Sequence, residues 1–274
     1  MDSIKLRKWD PTSINPKSVV MLVGKRGTGK STLTADILYN LRKHFDAGIA
    51  FSATEESNKF WSKHIPDTLI HSEYDSQTYG KFLTEVRKIN SVRQKPIGSL
   101  VLLEDCMGSK DLRRCKHIRS SFFNGRHYGL FFIVTMQYVM DLSPELRSNC
   151  DYVIILRNNM ILDREKIWKN FCGMVPSFVL FQKIFNRVTS GYDCLVVNNT
   201  SKSNDITDCL FWYRADIHND FKIGKKIMWE MHYRLKKDNE NKNNENNENI
   251  DDELRELTRP PNNYKSDVRI TRVS

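Results

Sequence analysis

A glycine-rich segment between an apolar run and an amphipathic run constrains this chain more than any other feature. Residues 18–23 form a short apolar, β-branched run typical of a buried strand, and the next eight residues, Gly24-Lys-Arg-Gly-Thr-Gly-Lys-Ser31, fit the pattern G-x-x-x-x-G-K-[ST]. Residues 31–43 then place apolar side chains at helical spacing. In this succession of strand, loop and helix, backbone N–H groups can surround a polyphosphate. The sequence therefore predicts a phosphate loop in preference to a glycine-rich turn without a ligand.

The phosphate loop predicts a site for ATP and Mg²⁺. Lys30 is expected to reach the β- and γ-phosphates, and the Ser31 hydroxyl is expected to ligate Mg²⁺. Backbone N–H groups and the helix N-terminus would supply the remaining contacts. The predicted nucleotide-binding residues are Gly24, Lys25, Arg26, Gly27, Thr28, Gly29, Lys30, Ser31 and Thr32.

An acidic pair follows the apolar run at residues 100–103. The carboxyl ends of parallel strands face one crevice, so Glu104 and Asp105 are expected near the phosphate loop. Glu104 is expected near Mg²⁺, directly or through a water, and Asp105 is expected to orient or deprotonate the attacking water. The alternative, a pair of ordinary loop charges after a strand, is less favoured because Glu104 lies 73 residues after Ser31, with predicted strands between.

A glutamine ends the next apolar run, at residues 130–135. The side-chain amide of Gln137 can both donate and accept hydrogen bonds. It is therefore a candidate to contact the γ-phosphate or the attacking water. An ordinary polar residue at a strand end is the equally weighted alternative.

The order of elements predicts an α/β fold. Apolar runs that read as strands alternate with runs at helical spacing, which implies a parallel sheet with helical crossovers. Residues 178–184 and 194–197 are apolar enough for further strands or a small helical appendage. The predicted strands are 18–23, 49–53, 100–103, 130–135 and 152–156, and the predicted helices are 31–43, 76–90 and 161–172.

Charge divides the chain into two parts. The formal net charge is +10; residues 1–237 carry +13 and residues 238–274 carry −3. A basic folded part suggests a polyanionic partner, with a basic surface kept for solubility as the alternative. Residues 238–249 hold seven Asn and no apolar residue, so we predict an ATPase domain over 1–237, with its core at about 18–200, and a disordered tail over 238–274.

Composition excludes several other classes. No apolar stretch approaches the ~20 residues of a membrane span, and the first nine residues lack the apolar region of a secretory signal. The six cysteines include no C-x-x-C pair, so neither a zinc knuckle nor a redox dithiol is supported.

Four motifs in order resemble those of the DNA-packaging ATPases of poxviruses and other large nucleocytoplasmic DNA viruses, within the FtsK–HerA superfamily. The resemblance covers residues 20–160. The chain departs from the family at the acidic pair, where the family usually has Asp first, so the two carboxylate roles could be exchanged. The matching segments are Gly24 to Thr32, residues 100–105, Gly125-Arg126-His127 before the strand that ends near Gln137, and Leu146-Arg147-Ser-Asn149 before residues 152–155.

The resemblance implies a RecA/FtsK-like P-loop NTPase whose subunits form a ring, a hexamer or a pentamer, that moves double-stranded viral DNA into the capsid. Capsid or portal-vertex proteins would be partners, and the protein would act in the viral factory of the host cytoplasm or in the virion. In related motors an arginine reaches the neighbouring subunit's γ-phosphate. Arg147 is expected in this role ahead of Arg126, with a surface helix charge as the alternative for Arg147.

Two other functions share a phosphate loop. One is a nucleoside or nucleotide kinase, in which the basic block 113–119 would serve as a lid. The other is a different DNA-dependent ATPase of the helicase or AAA+ type. In the packaging interpretation, Arg113, Arg114, Lys116 and Arg119 instead line a DNA-facing surface or a solvated helix face.

Overall fold

The computed structural model describes residues 4–106, 112 and 115–238. The chain divides into two compact units, Met1–Trp229 and Glu230–Ser274. In the second unit, the described residues 230–238 are helical. The tail prediction for residues from 239 on, and the proposed surface role of Arg113 and Arg114, lie outside the described residues.

Nine strands of the described residues form one sheet in the order β1-β9-β8-β7-β2-β6-β5-β3-β4. All neighbouring strands are parallel except β8, which is antiparallel to both β7 and β9. The strands are β1 Arg7–Lys8, β2 Val19–Val23, β3 Ala47–Ser52, β4 Ile70–His71, β5 Ser99–Glu104, β6 Leu130–Met136, β7 Tyr152–Ile155, β8 Asp193–Asn198 and β9 Leu210–Arg214.

The helices lie between the strands. Three of them, α2, α5 and α8, are four residues long. The helices between residues 30 and 214 of the described part of the chain are α1 Lys30–Leu41, α2 Glu55–Asn58, α3 Ser76–Ser91, α4 Lys116–Asn124, α5 Pro144–Arg147, α6 Ile161–Phe171, α7 Phe178–Val188 and α8 Ile206–Cys209.

The central strands are buried on both faces, which explains why they read as continuous apolar runs. Alternate residues of each strand point to opposite sides of the sheet. On one side, α1 packs Leu33 and Ile37 into a core that includes Leu22. On the other side, α3, α4, α6 and α7 contribute to a second core, which includes Met21 and Phe132. The predicted α/β fold with a mostly parallel sheet flanked by helices is confirmed.

The register of the strands defines where a site can form. Val23 pairs with Met136, and Glu104 pairs with both Ser52 and Thr135. The strands β2, β3, β5, β6 and β7 therefore end together at one edge, which we call the carboxyl edge, and begin at the opposite, amino edge. Among the described residues, no helix is both long and apolar enough to cross a membrane.

Candidate nucleotide-binding site

The phosphate loop lies at the carboxyl edge, between the end of β2 and the start of α1. The Gly24 N–H donates to the carbonyl of Met136 at 3.0 Å, which fixes the loop to β6. Gly27 and Gly29 have φ of +75° and +98°, a region in which side chains are strained. A Cβ on Gly24 would come within 2.6 Å of Thr28 Oγ1. Each glycine of the motif is therefore required by the backbone path.

Lys30 is the first residue of α1, and its side chain is only 6% exposed. Its Nζ donates to the Gly24 carbonyl at 2.9 Å and lies 3.3 Å from Asp105 Oδ2. A buried ammonium requires such partners, because desolvation of an unpaired charge costs several kcal/mol. The structure thus places the predicted phosphate-binding lysine between its own loop and the predicted acidic pair.

Glu104 is 3% exposed and accepts three hydrogen bonds of 2.6 Å. The Ser31 hydroxyl donates to Oε1. The Ser52 hydroxyl and the Trp61 indole N–H both donate to Oε2. The predicted metal-binding pair, Ser31 and Glu104, is therefore brought together, and the orientation of the carboxylate is set by two residues on its far side.

Ser52 and Trp61 were missed by the sequence analysis. Ser52 ends β3, directly beside Glu104 in the sheet, so a polar residue at the end of that predicted strand was the available signal. Trp61 has no such signal. It begins a 3-10 turn, Trp61–Lys63, in which the buried Glu55 carboxylate accepts the Trp61 and Ser62 N–H groups at 2.8 Å.

Asp105 follows β5 in a strained backbone conformation, with φ of +51°. For a residue other than glycine this costs on the order of 1–3 kcal/mol and is typical of functional sites. Its N–H donates to both oxygens of Thr135 at 3.2 Å. Its Oδ2 faces Lys30, whereas Oδ1 is buried and has no hydrogen-bond partner among the described residues.

Gln137 follows the end of β6 and is exposed. Its Nε2 lies 3.4 Å from Asp105 Oδ2, so the two predicted residues meet at the same point of the carboxyl edge. The distance is long for a hydrogen bond, and the amide remains accessible to a ligand. The structure thus brings Lys30, Asp105 and Gln137 together.

The donor set suits Mg²⁺. Hard cations of this kind take oxygen ligands, usually one or two carboxylates with hydroxyl, water and phosphate oxygens. Ser31 Oγ and Glu104 Oε1 are adjacent, and the unpartnered Oδ1 of Asp105 is a further oxygen at the same edge. A buried acceptor without a partner requires an explanation, and a ligand at this point provides one.

The two predicted arginines lie elsewhere. Arg147 ends α5 and is 6% exposed; its guanidinium donates to the Leu142 carbonyl at 2.6 Å and to Asn170 Oδ1 at 3.1 Å. Both bonds lie within one chain, and the role of Arg147 at a neighbouring subunit stays a prediction. Arg126 is exposed and lies at the amino edge, before β6. Its side chain makes no hydrogen bond or ion pair with the described part of the chain.

The fold and the phosphate loop together define the protein as a P-loop NTPase. Residues 5–177 match the NB-ARC domain, and the chain belongs to that family. It is also 32% identical over 237 residues to protein 088R of Invertebrate iridescent virus 3, covering 81% of this chain and 90% of that protein. Protein L437 of Acanthamoeba polyphaga mimivirus is 30% identical over 241 residues, with 84% of each chain covered. The relatives thus come from large DNA viruses.

Solved structures agree on the fold. The DNA-packaging ATPase B204 of Sulfolobus turreted icosahedral virus superposes with a TM-score of 0.56 and 17% identity, covering 75% of this chain and all of B204. The genome-packaging NTPase B204 of Sulfolobus turreted icosahedral virus 2, in complex with ATP-gammaS, gives a TM-score of 0.55 and 18% identity, covering 74% of this chain and 99% of B204. The resemblance to viral packaging ATPases is thereby confirmed for the fold and for the viral origin of the relatives.

Proposed function

We propose that the protein is a Mg²⁺-dependent ATPase that drives double-stranded viral DNA into a capsid. The observation that carries the proposal is the meeting of Lys30, Ser31, Glu104 and Asp105 at the carboxyl edge. The viral relatives, the shared fold with a packaging NTPase and the +13 charge of residues 1–237 support the DNA-handling part.

Binding of the triphosphate follows from the loop. The N-terminus of α1 and the N–H groups of residues 27–31 offer donors to phosphate oxygens, and the helix dipole favours their negative charge. Lys30 Nζ lies 2.9 Å from the Gly24 carbonyl and can exchange that bond for a β- or γ-phosphate oxygen. The Gly24 carbonyl and Asp105 thus partner the buried ammonium until a phosphate oxygen replaces the carbonyl.

Ser31 and Glu104 would hold Mg²⁺. When bound, the ion neutralises charge on the β- and γ-phosphates. Because Ser52 and Trp61 occupy Oε2 of Glu104, Oε1 is the oxygen that faces the metal side. The hydrogen bond that Ser31 now donates to this oxygen must be released for the serine oxygen to act as a ligand.

Asp105 would activate the attacking water. Its unpartnered Oδ1 can accept a proton from water, while Lys30 beside Oδ2 stabilises the carboxylate form. Gln137, 3.4 Å from the same carboxylate, can orient the water through its amide. Glu104, whose carboxylate accepts three hydrogen bonds, thus supports the metal role. Asp105, which has one oxygen without a hydrogen-bond partner among the described residues, supports the water role, as first predicted.

Arg126 would complete the nucleotide site of a neighbouring subunit. A head-to-tail interface brings different faces of two subunits together and closes into a ring. An exposed arginine at the amino edge can then reach the neighbour's γ-phosphate, whereas its own carboxyl edge lies about 20 Å away along the seven residues of β6. A capsid or portal-vertex protein would dock the ring, in the viral factory or the virion.

Phosphate release by the full chain tests this function. We expect hydrolysis of ATP that requires Mg²⁺ and accelerates when double-stranded DNA is added. Transfer of the γ-phosphate to a nucleoside or nucleotide, with no response to DNA, would identify a kinase instead. Equal stimulation by single-stranded DNA and active strand separation would indicate a helicase.

A further inference from the structure

An exposed tyrosine lies against the phosphate loop. Tyr192 is the last residue of the short turn that joins α7 to β8, where Gly191 has φ of +64° and the Asp193 N–H donates to the Ser190 carbonyl at 3.2 Å. The Tyr192 side chain is nevertheless 67% exposed. The turn thus presents a large aromatic ring to solvent.

The ring borders Gly29, the residue before the first turn of α1. Tyr192 Cδ1 lies 3.3 Å from the position that a Cβ on Gly29 would occupy. Any nucleotide whose phosphates bind Gly27–Ser31 therefore passes within reach of this ring. Another exposed aromatic of the carboxyl edge, Tyr138, is less available because Lys166 lies 5.0 Å from the centre of its ring and donates to its hydroxyl.

The direction of the nucleotide follows from the acidic residues. The γ-phosphate and metal end must face Glu104 and Asp105, on the side of β2 where β6 and β5 lie. Tyr192 precedes β8, which lies beyond β7 on the other side of β2. The nucleoside end therefore points toward the tyrosine, and the phosphate loop lies between the two ends.

We propose that Tyr192 is the stacking platform for the nucleobase of the bound nucleotide. The inference rests on the proposed nucleotide binding and adds the part of the ligand that the phosphate loop does not recognise. Stacking covers the exposed ring face and is tolerant of base identity, because every base has a π-face. The site therefore selects a nucleotide over an inorganic polyphosphate without distinguishing strongly among purines.

Two ligands separate base recognition from phosphate recognition. Calorimetry of the full chain with Mg²⁺ would compare a non-hydrolysable ATP analogue with inorganic tripolyphosphate. In Tyr192→Ala we expect affinity for the analogue to fall by roughly 5- to 150-fold, the range of base–aromatic stacking, and affinity for tripolyphosphate to stay unchanged. Tyr192→Phe should keep both affinities. Phe123→Ala, at a 38% exposed aromatic of α4, is the control that should change neither.

Each other outcome is decisive. Equal losses of affinity for both ligands in Tyr192→Ala would show that the ring only supports the phosphate loop. Unchanged affinity for the ATP analogue would show that Tyr192 does not stack on the nucleobase. Tripolyphosphate binding by the wild type reports on the phosphate loop independently. If the wild type bound neither ligand, the proposed nucleotide site itself would fail, and this inference with it. Thermal melting of each variant verifies that the fold is intact.

Discussion

At the carboxyl edge the buried Lys30 pairs with the partly buried Asp105, whereas the charged side chains of Lys17 and Arg126 at the amino edge are exposed. The carboxyl edge also holds backbone strain, at Asp105, whereas the positive φ of the two loop glycines is unstrained. Each edge has an unpartnered buried oxygen among the described residues: Asp105 Oδ1 at the carboxyl edge and Ser99 Oγ at the amino edge. The amino edge has no positive φ in its described residues near Arg126 except at Gly129. Strain at a residue other than glycine is typical of functional sites, so the strained Asp105 distinguishes the carboxyl edge as the candidate site.

The two edges of the sheet differ in which residues can act within one subunit. Side chains of the carboxyl edge already contact each other, so in the proposed site they would bind one ATP within one subunit. Arg126 is separated from them by the length of β6, so in the proposed ring it would contribute to a neighbouring subunit. The predictions below test the two edges in order of the expected effect.

Removal of the loop lysine should have the largest effect. Lys30→Ala deletes the buried ammonium between Gly24 and Asp105, so we expect no measurable hydrolysis and weakened nucleotide binding. Lys43→Ala, at an exposed lysine just after α1, is the matched control. Phosphate release at the wild-type rate in Lys30→Ala would show that the carboxyl edge is not the active site.

Removal of the arginine at the amino edge should follow. Arg126→Ala should lower turnover by ~10³-fold, the scale of an arginine supplied in trans, and leave the melting temperature and assembly unchanged because the side chain is exposed. Arg93→Ala, at a residue that is also exposed, should have no effect on turnover.

Arg147→Ala should instead lower the free energy of unfolding by about 1–3 kcal/mol, since it leaves the Leu142 carbonyl and Asn170 without their donor.

The two carboxylates should respond differently. Asp105→Asn should still bind ATP and Mg²⁺ but hydrolyse ATP ~100-fold more slowly, the scale of a lost general base. Glu104→Gln should mainly raise the Mg²⁺ concentration required. Titration of activity against Mg²⁺ in both variants decides the assignment, and the reverse pattern would exchange the two roles.

Trp61→Phe should have the smallest effect of the series. It keeps the buried ring but removes the indole donor to Glu104 Oε2, which Ser52 still contacts. We expect the Mg²⁺ requirement to rise by about tenfold, the lower end for an outer-shell partner of a metal site. Trp168→Phe, which removes a bond to the Val175 carbonyl instead, is the control. Identical Mg²⁺ titrations for both variants would exclude a positioning role for Trp61.

Local sequence patterns predicted the sheet and the phosphate loop, because each depends on neighbouring residues. The runs at 18–23, 100–103, 130–135 and 152–156 all became strands. For residues 178–184 the sequence allows either a strand or a helical segment, and in the structure they lie within helix α7. The final strand β9 and the antiparallel direction of β8 were not predicted, since neither follows from the periodicity of its own segment.

Contacts between distant segments explain what the sequence analysis missed at the site. Trp61 reaches Glu104 across 43 positions, and Tyr192 meets Gly29 only because β8 runs antiparallel to β7. Both Arg147 and Arg126 lie in matched motifs, so motif position alone does not distinguish them. Arg147 donates to Asn170, the penultimate residue of the following helix α6, and no motif indicates that contact.

The central claim is that the two edges act on one ATP across a subunit boundary. The most direct test mixes two inactive full-length variants, Lys30→Ala and Arg126→Ala, and measures phosphate release against total protein concentration. In a ring, some interfaces then pair an intact loop with an intact arginine, so activity should return in part and rise with assembly. A mixture that stays inactive while both variants assemble together, or a wild type that is fully active as a monomer, would contradict the account.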